Sequence, residues 1–200
     1  MIKVCLQKEK IISVLAVGLL LMMLMAGCGS DPTPKPRGYF RIDMPEQEYR
    51  VFDTTKYRFE YPAHAELQTK GPGIQEPYWF NIRYPEFRGT VYFSYKSVDN
   101  NLATLIDDSY EFVSKHMTMA TAVDERVVLD RSKDKYGLIF EIEGAETASP
   151  YQFFLTDSTA NFLRGALYFH NKPNNDSLAP VIDYVKEDME HFIKTFRWKK

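Results

Sequence analysis

Of the residue types that most often do chemistry, the 200-residue chain has two cysteines and four histidines, and only Cys28 has neighbours that specify a reaction. An apolar run from Ile11 to Met25 ends in the small pair Ala26-Gly27, and Cys28 follows directly before Gly29-Ser30-Asp31-Pro32. Lys3, Lys8 and Lys10 supply a positive flank, so flank, run and exit together read as a secretory signal. A cysteine at the exit looks like a bacterial lipoprotein signal, with Met25 in place of the usual leucine. The peptide is then cut before Cys28, and the sulfur becomes the lipid attachment point, carrying acyl chains such as palmitate. A fifteen-residue helix rises only ~22 Å, short of the roughly 30 Å hydrocarbon core, which favours a cleaved leader over a permanent span.

No other residues suggest catalysis. His64, His116, His170 and His191 are scattered, with no HExxH spacing and no local ligand cluster, so no metal ligands are assigned. There is no Gly-x-Ser-x-Gly elbow, Walker loop or dinucleotide fingerprint, and hence no catalytic residue or cofactor is expected. Adjacent helical residues point about 100° apart, so Asp107-Asp108 is a solvated face rather than an acid/base pair. Loss of the leader removes Lys3, Lys8, Lys10 and Glu9 and takes the formal charge from −2 to −4. That leaves no basic excess for a nucleic-acid partner. Cys5 leaves with the leader and Cys28 is acylated, so no disulfide is available and burial alone must hold the fold. The 14 Phe, 13 Tyr and 2 Trp supply the material for a core. Asp53-Thr54-Thr55, Asp157-Ser158-Thr159 and Asp176-Ser177-Leu178 resemble O-glycan acceptor triplets of envelope proteins.

The elements that frame these residues follow from periodicity. Residues 1–27 are the signal peptide, and residues 28–37 form a stiff tether with Pro32, Pro34 and Pro36 at alternate positions. A single α+β domain occupies 38–200. Its first convincing strand is Tyr57–Tyr61, followed by Glu66–Lys70 and a hairpin of Tyr78–Tyr84 and Thr90–Lys96 with Val91, Phe93 and Tyr95 on one face. Leu102, Leu105, Ile106, Tyr110, Val113 and Met117 make a helical stripe behind an Asn100 or Asn101 cap. Strands are expected at Ala122–Leu129, Tyr136–Glu143, Tyr151–Thr156 and Phe162–His170. A final helix carries Leu178, Val181, Ile182, Val185, Met189, Phe192, Ile193 and Phe196. Its basic end, Lys194 to Lys200, reads as charge at a helix C-terminus, with contact to anionic lipid as the alternative.

The segments around residues 77–93 and 150–169 echo each other, each followed by an Asn-Asn pair and a helix, which allows two strand-strand-helix repeats. The expected class is therefore a mainly antiparallel sheet with two amphipathic helices packed on it. The Tyr-x-Phe-x-Tyr-Pro strand also resembles the first strand of the Mog1/PsbP-like α/β/α sandwich.

The run Pro34-Lys35-Pro36-Arg37-Gly38-Tyr39-Phe40-Arg41-Ile42-Asp43 resembles the start of the gliding-motility lipoprotein family GldD, as do Tyr57–Pro62, Trp79–Pro85 and Gly89–Tyr95. The resemblance implies a non-enzymatic envelope accessory factor for gliding and its coupled protein-secretion system, working by contact with other envelope proteins. It carries over no catalytic residues. Arg37, Tyr39, Phe40 and Arg41 are the candidate partner contact, because aromatic and arginine side chains exposed together anchor interfaces. A small-ligand-binding lipoprotein with an aromatic pocket at Tyr78, Trp79 and Phe80 is the alternative. Gly29 beside Cys28, where some bacteria place an inner-membrane retention aspartate, points to the outer membrane and a domain facing the periplasm.

Overall fold

The computed structural model describes residues 42–199. The strands are β1 (Tyr49–Asp53), β2 (Tyr57–Pro62), β3 (Glu66–Gln68), β4 (Phe80–Tyr84), β5 (Gly89–Ser97), β6 (Ala122–Asp130), β7 (Lys135–Glu143), β8 (Tyr151–Thr156), β9 (Asn161–Phe169) and β10 (Arg197–Trp198). Helix α1 (Leu102–Ser114) follows β5 and helix α2 (Asn175–Thr195) follows β9. Seven strands form one sheet in the order β3-β4-β5-β9-β8-β7-β6, and β1-β2-β10 form a small second sheet. Every pairing between the described strands is antiparallel.

The two-residue period of the strands sorts side chains between two cores. Val91, Phe93 and Tyr95 of β5, Leu163 and Leu167 of β9, and Phe153 and Leu155 of β8 face one side. There they meet Val181, Val185, Met189, Phe192 and Ile193 of α2, together with Tyr57 and Phe59 of β2. Phe140 and Ile142 of β7, Phe154 of β8 and Phe162 of β9 form a smaller cluster with Leu102, Leu105, Ile106 and Val113 of α1. The helices thus cover opposite faces of the seven-stranded sheet.

Phe192 is the centre of the larger core. Its ring lies 4.7 Å from Phe59, 4.8 Å from Phe93, 5.6 Å from Phe196 and 5.9 Å from Phe153. The paired hairpins expected from the internal echo are neighbours through β5 and β9, and Val91 and Leu167, equivalent in the echo, are also partners in the sheet. The likeness ends there, because the two helices leave for opposite faces.

Several local expectations are corrected. The ordered fold begins before Tyr57: β1 pairs residue for residue with β2 from Tyr49↔Pro62 to Asp53↔Arg58. Its pattern was hidden because Val51 is exposed while Tyr49 and Phe52 are only half-buried. The strand expected over Tyr78–Tyr84 starts only at Phe80, since Tyr78 takes a left-handed φ of 66°, outside strand geometry. Helix α1 ends at Ser114, and Met117 lies in a separate 3-10 turn, 55% exposed. The asparagines flank both helices without capping them through their side chains. Asn101 Oδ1 accepts from the Asp99 amide, and Asn175 Nδ2 donates to the Gly144 and Thr147 carbonyls.

The C-terminus of α2 is completed from elsewhere. Lys135, almost fully buried, donates from Nζ to the Ile193 carbonyl at 2.5 Å, and Lys133 Nζ donates to the Lys194 carbonyl at 3.0 Å. These cations satisfy carbonyls that a helix end leaves open. Burial pulls the Lys135 ammonium down to a pKa of about 8. Arg197 and Trp198, read from sequence as part of the basic helix end, instead pair with Arg58 and Tyr57 as β10.

Phe192→Ala should cost roughly 3–5 kcal/mol in chemical denaturation, because its cavity is walled by rings that cannot collapse inward. Met117→Ala, at a position 55% exposed in the 3-10 turn, should change stability by less than about 0.5 kcal/mol.

Candidate functional site

The positions singled out as sites in the sequence, Cys28, Arg37, Tyr39, Phe40 and Arg41, lie outside the described residues. Asp107 and Asp108 are exposed on α1, on its solvated side as expected. The aromatic trio does not converge on a pocket. Phe80 is fully buried in the larger core, and the Trp79 indole donates to the Tyr95 carbonyl at 2.8 Å. Tyr78 shares a hydrogen bond with Thr55 across 2.9 Å at the rim of a shallow 390 Å³ depression.

The fold assembles a different polar cluster, which the sequence did not announce. Its centre is Asp188, fully buried on the apolar side of α2. Around it stand Tyr49 at the start of β1, His64 in the turn after β2, Tyr84 at the end of β4, and Tyr184 one helical turn before Asp188. Tyr49 donates its hydroxyl to Asp188 Oδ1 at 3.1 Å, and His64 Nε2 lies 3.7 Å from Oδ2. Tyr184 donates to the Pro45 carbonyl at 2.7 Å, with His64 Nε2 3.4 Å from its oxygen. The Tyr84 hydroxyl faces the carboxylate without a good hydrogen bond, so it, Asp188 Oδ2 and His64 Nδ1 are all buried polar atoms lacking a partner.

Burial drives the electrostatics of the cluster. It raises the Asp188 carboxyl to about 6, against the pull of the Tyr49 and Tyr84 hydroxyls, and lowers His64 below its ordinary value. Beside the cluster the Tyr49 ring stacks on His191 at 3.6 Å, and His191 Nε2 meets Glu60 at 2.6 Å. Two of the four scattered histidines are therefore brought to one region, by β2 and α2. Among the described residues no group of three or more His, Cys, Asp or Glu is arranged to hold a metal ion.

Chemically, Asp188 and His64 are an acid and a base with displaced affinities, but the carboxylate is sealed from solvent. A surface cavity of about 750 Å³ lies elsewhere, lined by Lys56, Lys133, Tyr136, Asp157 and Trp198 among others, and shares no residue with the cluster. What the cluster does bind is the chain leading into the domain. Tyr49 and Pro45 precede or begin β1, and both are fastened to α2 through it. A signal for it existed in the sequence: Asp188 interrupts an apolar stripe between Val185 and Met189, and an acid there needs partners.

The comparisons with known proteins decide the family. The sequence profile described as "Gliding motility lipoprotein GldD" matches residues 29–198. The chain belongs to the GldD family. It is thus a gliding-motility lipoprotein, and membership of a lipoprotein family gives it a membrane-anchored location in the cell envelope. No curated protein sequence shows significant similarity to this GldD chain. Among solved structures it is similar to the solution structure of cyanobacterial PsbP (CyanoP) from Synechocystis sp. PCC 6803, at 13% identity and a TM-score of 0.45. That match covers 86% of this chain and 98% of the other.

Asp188 gives a pH dependence of definite sign. Its folded pKa of about 6 exceeds the ordinary 3.8, so the folded state holds the proton more tightly. The associated stability is present in full below pH ~4 and is lost as pH rises through ~6. Lowered carboxyls such as Asp130, at about 2, act in the opposite sense but only below pH ~4. His64, with its lowered pKa, destabilises the fold as pH falls below ~6.5. Asp188→Asn should remove the decline between pH 4 and 6 and leave the His64 contribution exposed, as measured by denaturant unfolding across that range.

Proposed function

We propose that this GldD-family chain is a non-enzymatic accessory component of the gliding apparatus and of its associated secretion machinery. Lipid on Cys28 holds it at the envelope membrane, with the domain facing the periplasm and the outer membrane preferred. It works by touching other envelope proteins, and the Arg37, Tyr39, Phe40 and Arg41 segment is the first surface to test.

One observation carries this reading. The family match begins at Gly29, one residue after Cys28, which supports a passenger that starts at the proposed lipid-bearing cysteine. The geometry supports contact over catalysis, because the acid that the fold brings beside a base is sealed from solvent and helps tie the start of the domain to α2.

Cys28→Ala in the producing cells should block lipid attachment, shift the protein out of the membrane fraction and abolish spreading on surfaces. Tyr39→Ala/Phe40→Ala should weaken gliding with an unchanged melting temperature. Asp188→Asn, at normal abundance, should leave gliding intact. Normal spreading by the Cys28 variant would defeat the tethering role, and loss of spreading by an abundant Asp188→Asn protein would favour chemistry instead.

A further inference from the structure

We propose that β6 is a pairing edge through which two copies of this chain join, antiparallel, about a two-fold axis at Val128. This rests on the edge strand and is independent of the gliding role. β6 ends the seven-stranded sheet, spans nine residues, and among the described residues has a strand partner on one side only. An open edge of that length is a template for a further strand, and proteins usually guard such edges with brevity or charge. The opposite edge is guarded: β3 has three residues, and Glu66 is paired with Arg83 at 2.7 Å.

The unguarded part of β6 is its second half. Val127 and Leu129 are 69% and 60% exposed, the most exposed large apolar side chains of the described fold. Both project on the α1 side of the sheet, where Val127 neighbours Leu138 and Leu129 neighbours Tyr136 on β7. Val128 projects the other way, onto the larger core.

The charges select the occupant. A two-fold axis perpendicular to the sheet pairs residues symmetrically about one position and keeps matching faces together. Centred on Arg126, the register sets that arginine against its own copy. Centred on Val127, it sets Asp124 against Asp130. Centred on Val128, the register keeps both partners within β6 from Arg126 to Asp130 and places Val127 opposite Leu129 and Arg126 opposite Asp130, so apolar meets apolar and opposite charges meet. Asp130 is held ionised by Ser132 and Lys133, with a pKa of about 2, so its charge is present at any physiological pH. Cross-strand pairs of opposite sign are favourable and like pairs are not, so the second copy is encoded in the strand itself.

The test uses the mature chain with Cys28→Ser, followed by sedimentation velocity over a range of concentrations. Wild-type sequence should show a dimer that dissociates on dilution. Val127→Glu/Leu129→Glu, at two exposed positions of the strand, creates two symmetry-related like-charge pairs and should weaken the dimer roughly tenfold. Val127→Lys/Leu129→Glu, which sets opposite charges across the same seam, should restore it. A monomer at every concentration overturns the proposal, as does a dimer indifferent to Val127→Glu/Leu129→Glu, which would place the interface elsewhere.

Discussion

The constraint on which everything else depends is the need to cover an aromatic sheet on both faces without a disulfide to help. Phe80, Phe93 and Phe153 line one face of the seven-stranded sheet, and Phe140, Phe154 and Phe162 line the other. Burial of an aromatic side chain contributes a few kcal/mol, so neither face can be left wet. Helix α2 and the small sheet answer the first need, with Phe192 as the common contact, and α1 answers the second. The helices therefore part company although their hairpins lie side by side.

The same constraint explains the cost at Asp188. A 21-residue helix laid across the larger core must bury nearly a whole face, and Asp188 falls on it. The site is closed to solvent, so the carboxyl is held by a phenol from the start of β1 and an imidazole from the turn after β2. In exchange, the segment entering the domain is locked onto its last helix. That lock joins the first described residues of the fold to its central core.

Burial is less complete where the helices stop. Helix α1 covers the middle of its face, leaving Val127 and Leu129 on the outer strand uncovered. Charges restrain the first half of β6 by way of Arg126, which reaches Glu141 and Glu190, and of Glu125, which meets Tyr110. Its second half has no such engagement on the α1 side. A sheet with one short, guarded edge and one long, partly apolar edge is asymmetric in where it can grow.

Much of this was legible in the residues alone. The family was legible in short sequence words, and the antiparallel sheet and the apolar stripe of α2 rest on local patterns, because a two-residue or 3.6-residue period is imposed by backbone geometry whatever the surroundings. β1 was not legible, since Tyr49 and Phe52 gain their burial from β2, α2 and Phe80, not from an alternation of their own. The expected cap at α1 failed because the Asn101 side chain accepts from the Asp99 amide before the helix instead of from the helix itself, and at α2 Asn175 stands inside the helix and donates to the Gly144 and Thr147 carbonyls. Which residues surround Asp188, and which cations close α2, are long-range matters: His64 and Asp188 stand more than a hundred positions apart, and Lys135 reaches Ile193 across 58. Sequence sets what each segment can become. Only packing chooses which distant groups must share a dry interior.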